Sequence, residues 1–139
     1  MKTILVASDG STAAEKAVEY AANRAKVELA RLVIVNVSEP FCPVGVSELD
    51  VSVFDDAMKK ESRSILDAAL ARAKTAGVNA DAVHEIGAPA EAIVAVAKRE
   101  GAGEIFVASH GRHGLARIAM GSVSSRVVES APCTVTVVK

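Results

Sequence analysis

In "APAEAIVAVAKREGAGEIFVASHG", Ala88 to Gly111, helical spacing gives way within a few residues to a β-branched run. Pro89 stands near the first turn of the helical part and Gly101 at its end, the polarity these residues take in helices. The run that follows, Glu104 to Ser109, contains "IFV", apolar on both faces, as an interior strand of a parallel sheet must be. His110 and Gly111 then open a loop.

Moving outward, the same alternation holds along the chain. "TILVAS" (3–8), "LVIVNVS" (32–38), "NADAVHEIG" (79–87) and "TVTVV" (134–138) are further strand runs. Between them lie helical stretches. After the first strand, Ala14, Ala17, Val18, Ala21, Ala22 and Ala25 form one stripe, with Glu15, Lys16, Glu19 and Asn23 mostly opposite. Thr12 and Glu15 read as a capping-box pair at its start. A second helix runs from about Ser52 to Ala76. A fourth begins at Ser122, whose hydroxyl can cap it, and Pro132 stops it. Strands alternating with helices call for α/β architecture: an open, doubly wound, five-stranded parallel sheet with helices on both faces. "NADAVHEI" alternates apolar and polar residues, which suits an edge. The last strand carries Val135, Val137 and Val138, an apolar edge that a second subunit would cover.

At 139 residues the chain suits a single domain, residues 1–139, with a core that needs no disulfide staples. Half of it is apolar, yet Trp is absent and only one Tyr and three Phe occur, so the core must be aliphatic. The net charge of −1 gives no electrostatic reason to expect nucleic acid as a partner. No apolar run reaches the ~20 residues of a membrane span. Asp9 arrives too early for a signal peptide, so a cytoplasmic location is expected. Cys42 and Cys133 read as buried or idle thiols.

Cations and glycines crowd into one place, "ASHGRHGLARIAMGS", Ala108 to Ser122. A plain turn, a metal site and an anion cradle compete for this loop. It leaves the carboxyl end of the fourth strand, where open α/β sheets bind ligands. Gly111, Gly114 and Gly121 permit positive φ and close approach of a ligand. Gly121, Ser122, Val123 and Ser124 offer helix N-terminal amides and two hydroxyls, and Arg112 and Arg117 add positive charge. An anion cradle explains the cluster best. His110 and His113 lack a nearby Cys or carboxylate to complete a metal set, so no metal site is assigned.

The first strand ends in "ASDGS". A carboxylate at Asp9 would repel phosphate but accept hydrogen bonds from a ribose, or hold a divalent ion between phosphates. Its other role is structural, an Asx turn at the helix start. Several enzyme classes are absent from the pattern. There is no P-loop, no G-x-G-x-x-G after the first strand, and no G-x-S-x-G around Ser109. A phosphoacceptor receiver would need clustered acids where Asp9 stands alone. No residue is placed as a general base, no lysine clamps phosphate, and no catalytic residue is assigned.

Over nearly its whole length the chain resembles the universal stress proteins. "ILVASDGS", "VNVSEP", "GAPAEAIVAVAKREGAGEIFVASHGRHG" and "GSVSSRVVESAPCTVTVV" carry the likeness. Nucleotide-binding members of that family carry Gly, two residues, Gly, nine residues, then Gly with Ser or Thr. Gly111 and Gly121 followed by Ser122 match, while Ala108 stands at the first glycine position. The resemblance implies an adenine nucleotide alpha-hydrolase-like domain with strand order 3-2-1-4-5, homodimeric, with ATP lying across the first and fourth strands. On that basis Ala7, Ser8 and Asp9 would line the adenosine, with Asp9 toward the ribose. Val37 would offer its backbone to the adenine edge, and Val107 and Ala108 would pack beside the sugar. Gly111, Gly121, Ser122, Val123 and Ser124 would hold the phosphates, with Arg112 close by and Mg2+ accompanying ATP. The implied function is a nucleotide-dependent stress-response module with an unidentified protein partner and at most weak hydrolysis. The alternative is a nucleotide-free dimeric interaction or chaperone-like protein, in which the Ala108 methyl spoils the pocket.

Overall fold

The computed structural model describes residues 1–40, 48–111 and 120–139. The elements run β1 (Thr3–Ala7), α1 (Thr12–Glu28), β2 (Arg31–Ser38), α2 (Glu48–Thr75), β3 (Asp81–Ile86), α3 (Pro89–Glu100), β4 (Glu104–Ala108), α4 (Ser122–Ser130) and β5 (Thr134–Val138). All strand pairings are parallel and the order is β3-β2-β1-β4-β5, as expected. The two strands read as apolar on both faces, β2 and β4, are interior, and the alternating β3 is an edge.

Side chains alternate across each strand, so every strand feeds two cores. Ile4, Val6, Leu32, Ile34 and Phe106 face α1 and α2. Leu5, Val33, Val35, Ile105 and Val107 face α3 and α4. The α1 stripe is mostly alanine, and Ala14, Ala17, Ala21, Ala22 and Ala25 are all buried. Small side chains let that helix lie close to the sheet, and the bulk is supplied from below by strand residues. Each fully buried Ile, Leu or Phe contributes about 1.5–3 kcal/mol.

Helix starts differ from expectation in three places. Ser11, not Thr12, caps α1: its Oγ accepts from the Ala14 amide at 3.1 Å. Glu15 instead receives Arg72 of α2 at 2.8 Å. At α4 the cap is Gly121, with no side-chain bond, and Ser122 is already the first helical residue. Further, α2 starts at Glu48, a turn before the expected Ser52. The apolar repeat of this stretch, Ile65, Leu66, Ala69, Leu70 and Ala73, marks only the packed part of the helix: Ser62, Leu66, Ala69 and Ala73 are buried, whereas Ser52 to Ala57 are exposed.

At the amino end of the sheet, Glu104 is only 3% exposed. Its carboxylate accepts Arg24 Nη1 at 3.0 and 3.1 Å, Lys2 Nζ at 3.3 Å and the Thr136 hydroxyl at 2.6 Å. Buried charge is tolerated when partnered in this way. Arg24 also lies over the Phe106 ring, 5.6 Å from its centroid. The neighbouring Cys133 is partly buried, and desolvation, helped by the Glu104 charge, pushes its thiol up. Cys42 lies outside the described residues.

Candidate functional site

β1 and β4 are adjacent, but β1 leads to a helix on one face and β4 to a helix on the other. Their diverging exits open a crevice at the carboxyl edge. On the β1 side the chain is tied down from three directions. The Ser8 amide donates to Val35 O at 2.9 Å, and Asn36 Nδ2 donates to Ser8 O at 2.9 Å. Ser8 Oγ accepts from the Gly10 amide at 3.2 Å. Asn36 is 4% exposed, so its side-chain amide serves to hold the end of β1.

Asp9 Oδ1 accepts from the Ser11 amide at 2.9 Å, the Asx turn that was one of its two readings. Its other oxygen, Oδ2, lies against Gly111, where any Cβ would overlap it. The carboxylate therefore starts α1 and at the same time faces the loop that leaves β4. These are the two halves of the crevice.

On the β4 side, the Ser109 amide donates to Val138 O at 2.8 Å. Ser109 O accepts from the Gly121 amide and from Ser124 Oγ, the latter at 3.0 Å, which closes the base of the loop. A Cβ on Gly121 would come to 3.3 Å from both His110 Cα and Ser109 O. Gly121 has φ −74°, so its glycine answers a demand for space, not for left-handed backbone. Ser109 Oγ is 2.9 Å from His110 Nδ1.

Beyond Gly121 the first amides of α4 have no intrahelical acceptor, no side-chain cap and no acidic residue in the first turn. Such an end carries partial positive charge and suits an anion. The two serines divide their work. Ser124 is buried and its hydroxyl is turned inward, shared between Ser109 O and Gly121 O, so only its amide remains for a ligand. Ser122 is exposed.

A cleft of about 440 Å³ opens between the first turns of α3 and α4, with Ser122, Val123 and Arg126 on one wall and Gly87 to Glu91 on the other. Glu39 and Pro40, just past β2, complete it. Ala7 and Val37 pack against the core cluster of this same face, which includes Ala90 and Ile93. Val107 is buried in that cluster, one residue below the edge. Ala108 is half-buried and packs toward the α1 side, so its methyl is directed away from this cleft.

The structure thus brings Ala7, Ser8, Asp9, Val37, Gly111, Gly121, Ser122, Val123 and Ser124 to one edge. Arg112, Arg117, His113 and Gly114 lie outside the described residues. Sequence reasoning missed Asn36, Glu39, the α3 start and Arg126. Gly87 and Pro89 were available as signals, since they mark the carboxyl end of β3 as surely as Gly111 marks that of β4. His84 Nε2 is 2.8 Å from Ser38 Oγ across the β2–β3 pair.

The fold and its crevice define a doubly wound α/β protein with an open edge at the strand-order switch. The chain belongs to the universal stress protein family, whose model matches residues 1–139. It is 34% identical over 144 residues to universal stress protein YxiE of Bacillus subtilis, covering 98% of this chain and 97% of that protein. The structure of universal stress protein UspA from Lactobacillus plantarum superposes with a TM-score of 0.88 at 27% identity, covering 99% and 97% of the two chains. A universal stress protein crystallised in complex with cAMP superposes with a TM-score of 0.78 at 28% identity, again covering 99% and 97%. Among the described residues no helix is long and apolar enough to cross a membrane.

Proposed function

We propose that this chain binds an adenine nucleotide, ATP with Mg2+, at the carboxyl edge of β1 and β4, and acts as a cytoplasmic stress-response module by binding. The observation that carries the reading is the double close approach, Asp9 against Gly111 and Ser109–His110 against Gly121, beside the uncapped start of α4. A side chain at Gly111 would displace the Asp9 carboxylate, and one at Gly121 would crowd the backbone at the base of the β4 loop. The similar protein crystallised with cAMP supports adenine as the base. In this reading Asp9 meets the ribose, the Val37 backbone meets the base, Val107 and Ala108 flank the sugar, and the amides of Ser122, Val123 and Ser124 meet the phosphates.

The test is calorimetry with ATP and Mg2+, together with mass spectrometry of the denatured, freshly purified protein. An adenine nucleotide is expected in the extract. Gly121→Val combined with Ser122→Ala should weaken binding by about 100-fold, about 2.7 kcal/mol. Unchanged binding in that variant would remove the phosphate assignment. The nucleotide-free interaction protein is favoured by Ala108 at the family's first glycine position. An empty extract and no calorimetric signal would establish it.

The same proposal includes a homodimer formed through β5, to which an unidentified protein partner would respond. Among the described residues β5 pairs only with β4, and Val135 and Val137 are half-buried at that edge. Val137→Lys should shift the chain toward monomer in sedimentation velocity with its far-ultraviolet circular dichroism retained. An unchanged sedimentation coefficient would place any interface elsewhere.

A further inference from the structure

The cleft beside α4 is lined by two carboxylates, Glu39 and Glu91, and among the described residues by one cation, Arg126. Arg126 Nη1 stands 3.5 Å from Glu91 Oε1, and the side chains are 66% and 63% exposed. The two partners differ in how well they suit their own helices. Glu91 lies in the first turn of α3, where a negative charge is favoured by the helix dipole. Arg126 is the fifth of the nine residues of α4, past the first turn over which the dipole acts. The dipole of α4 therefore gives no reason for an arginine there.

Direction supplies one. Helical Cα–Cβ bonds tilt toward the N-terminus, so a residue three or four positions into a helix leans over the turn before it. Arg126 leans over Val123 and Ser122, which line the cleft with it. Its guanidinium is long enough, and exposed enough, to serve either Glu91 or an anion seated on the α4 amides. A bidentate contact with phosphate is stronger than a long, solvent-screened pair with a carboxylate.

From this geometry we infer that Arg126 exchanges partners, holding Glu91 when the cleft is empty and the outer phosphates of a nucleotide when it is filled. The inference rests on the nucleotide reading above and deepens it. Arg126 ranks ligands by phosphate charge, and Glu91 competes with the ligand for it. The cleft then prefers polyphosphates to the monophosphate, and prefers both to the bare nucleoside.

Calorimetric titration of ATP, AMP and adenosine at low ionic strength tests this on the full chain. Arg126→Gln should weaken ATP by about tenfold and leave adenosine unchanged, with Arg126→Lys in between. Glu91→Gln should tighten ATP by about threefold, again without effect on adenosine, and should do nothing in the Arg126→Gln background. Equal ATP-to-adenosine ratios in the wild type and the variants would overturn the inference while sparing the nucleotide reading. So would a uniform loss for every ligand that tracks a lowered unfolding midpoint, since that is the signature of a plain tie between α3 and α4. A wild type that binds none of the three ligands would bring down the nucleotide reading and this inference together.

Discussion

Gly111→Val is expected to reduce ATP affinity by at least about tenfold, 1.4 kcal/mol, in calorimetric titration. The reason is steric and local. A Cβ at this position overlaps Asp9 Oδ2 and comes to 3.4 Å from Asp9 Cγ, so the carboxylate must leave the crevice. Gly111 is itself exposed, so the substitution disturbs no core packing, and the stability it costs is that of the displaced Asp9–Ser11 contact, about 1 kcal/mol. The fall in ATP affinity should exceed the fall in unfolding free energy. Asp9→Asn keeps the shape and an acceptor for the Ser11 amide, so it should retain the fold and lose only the contribution of charge. If Gly111→Val binds ATP as the parent does, the contact between Asp9 and the β4 loop belongs to folding alone.

The second large effect lies at the other end of the sheet. Arg24→Leu should lower the unfolding free energy by about 3 kcal/mol, because it leaves the buried Glu104 carboxylate with its main cation removed. Removing Glu104 in the opposite sense should cost less. Arg24 and Lys2 are both about two-fifths exposed at the side chain and can turn to water. Replacing both Arg24 and Glu104 by leucine should recover most of the loss, since a buried pair exchanged for apolar side chains of similar volume is often neutral. Urea unfolding of the two single variants and the double variant measures this directly. A double variant as unstable as the sum of the singles would show that the network acts through packing, not charge.

These two sites also mark the limits of what could be read from residues alone. The strands were legible because "IFV" and "LVIV" are apolar on both faces, and only a sheet covered by helices on each side accepts that. The β1 and β4 ends were legible because glycine, serine and aspartate collect where the strands stop. The helix starts were misplaced by one residue at Ser11 and at Gly121. Adjacent small polar residues differ little in capping preference, and only the backbone angle decides which one ends the loop. The Glu104 network was invisible for a different reason: Lys2, Arg24, Glu104 and Thr136 meet only because β1, β4 and β5 are neighbours. Asn36 escaped notice in the same way, as a polar residue in an apolar run whose partner, Ser8 O, lies on another strand. Arg126 carries no signal in the sequence, because only the shared cleft at the starts of α3 and α4 sets it beside Glu91.

Strand β4 begins at the buried carboxylate and ends at the ligand edge, a span of four residue steps or about 13 Å. Substitutions separated by more than about 7–10 Å with no shared partner add nearly independently. Anchorage and recognition are thus decoupled along a single strand. A substitution at the proposed ligand edge should therefore leave the Glu104 anchor, and the scaffold it holds, untouched.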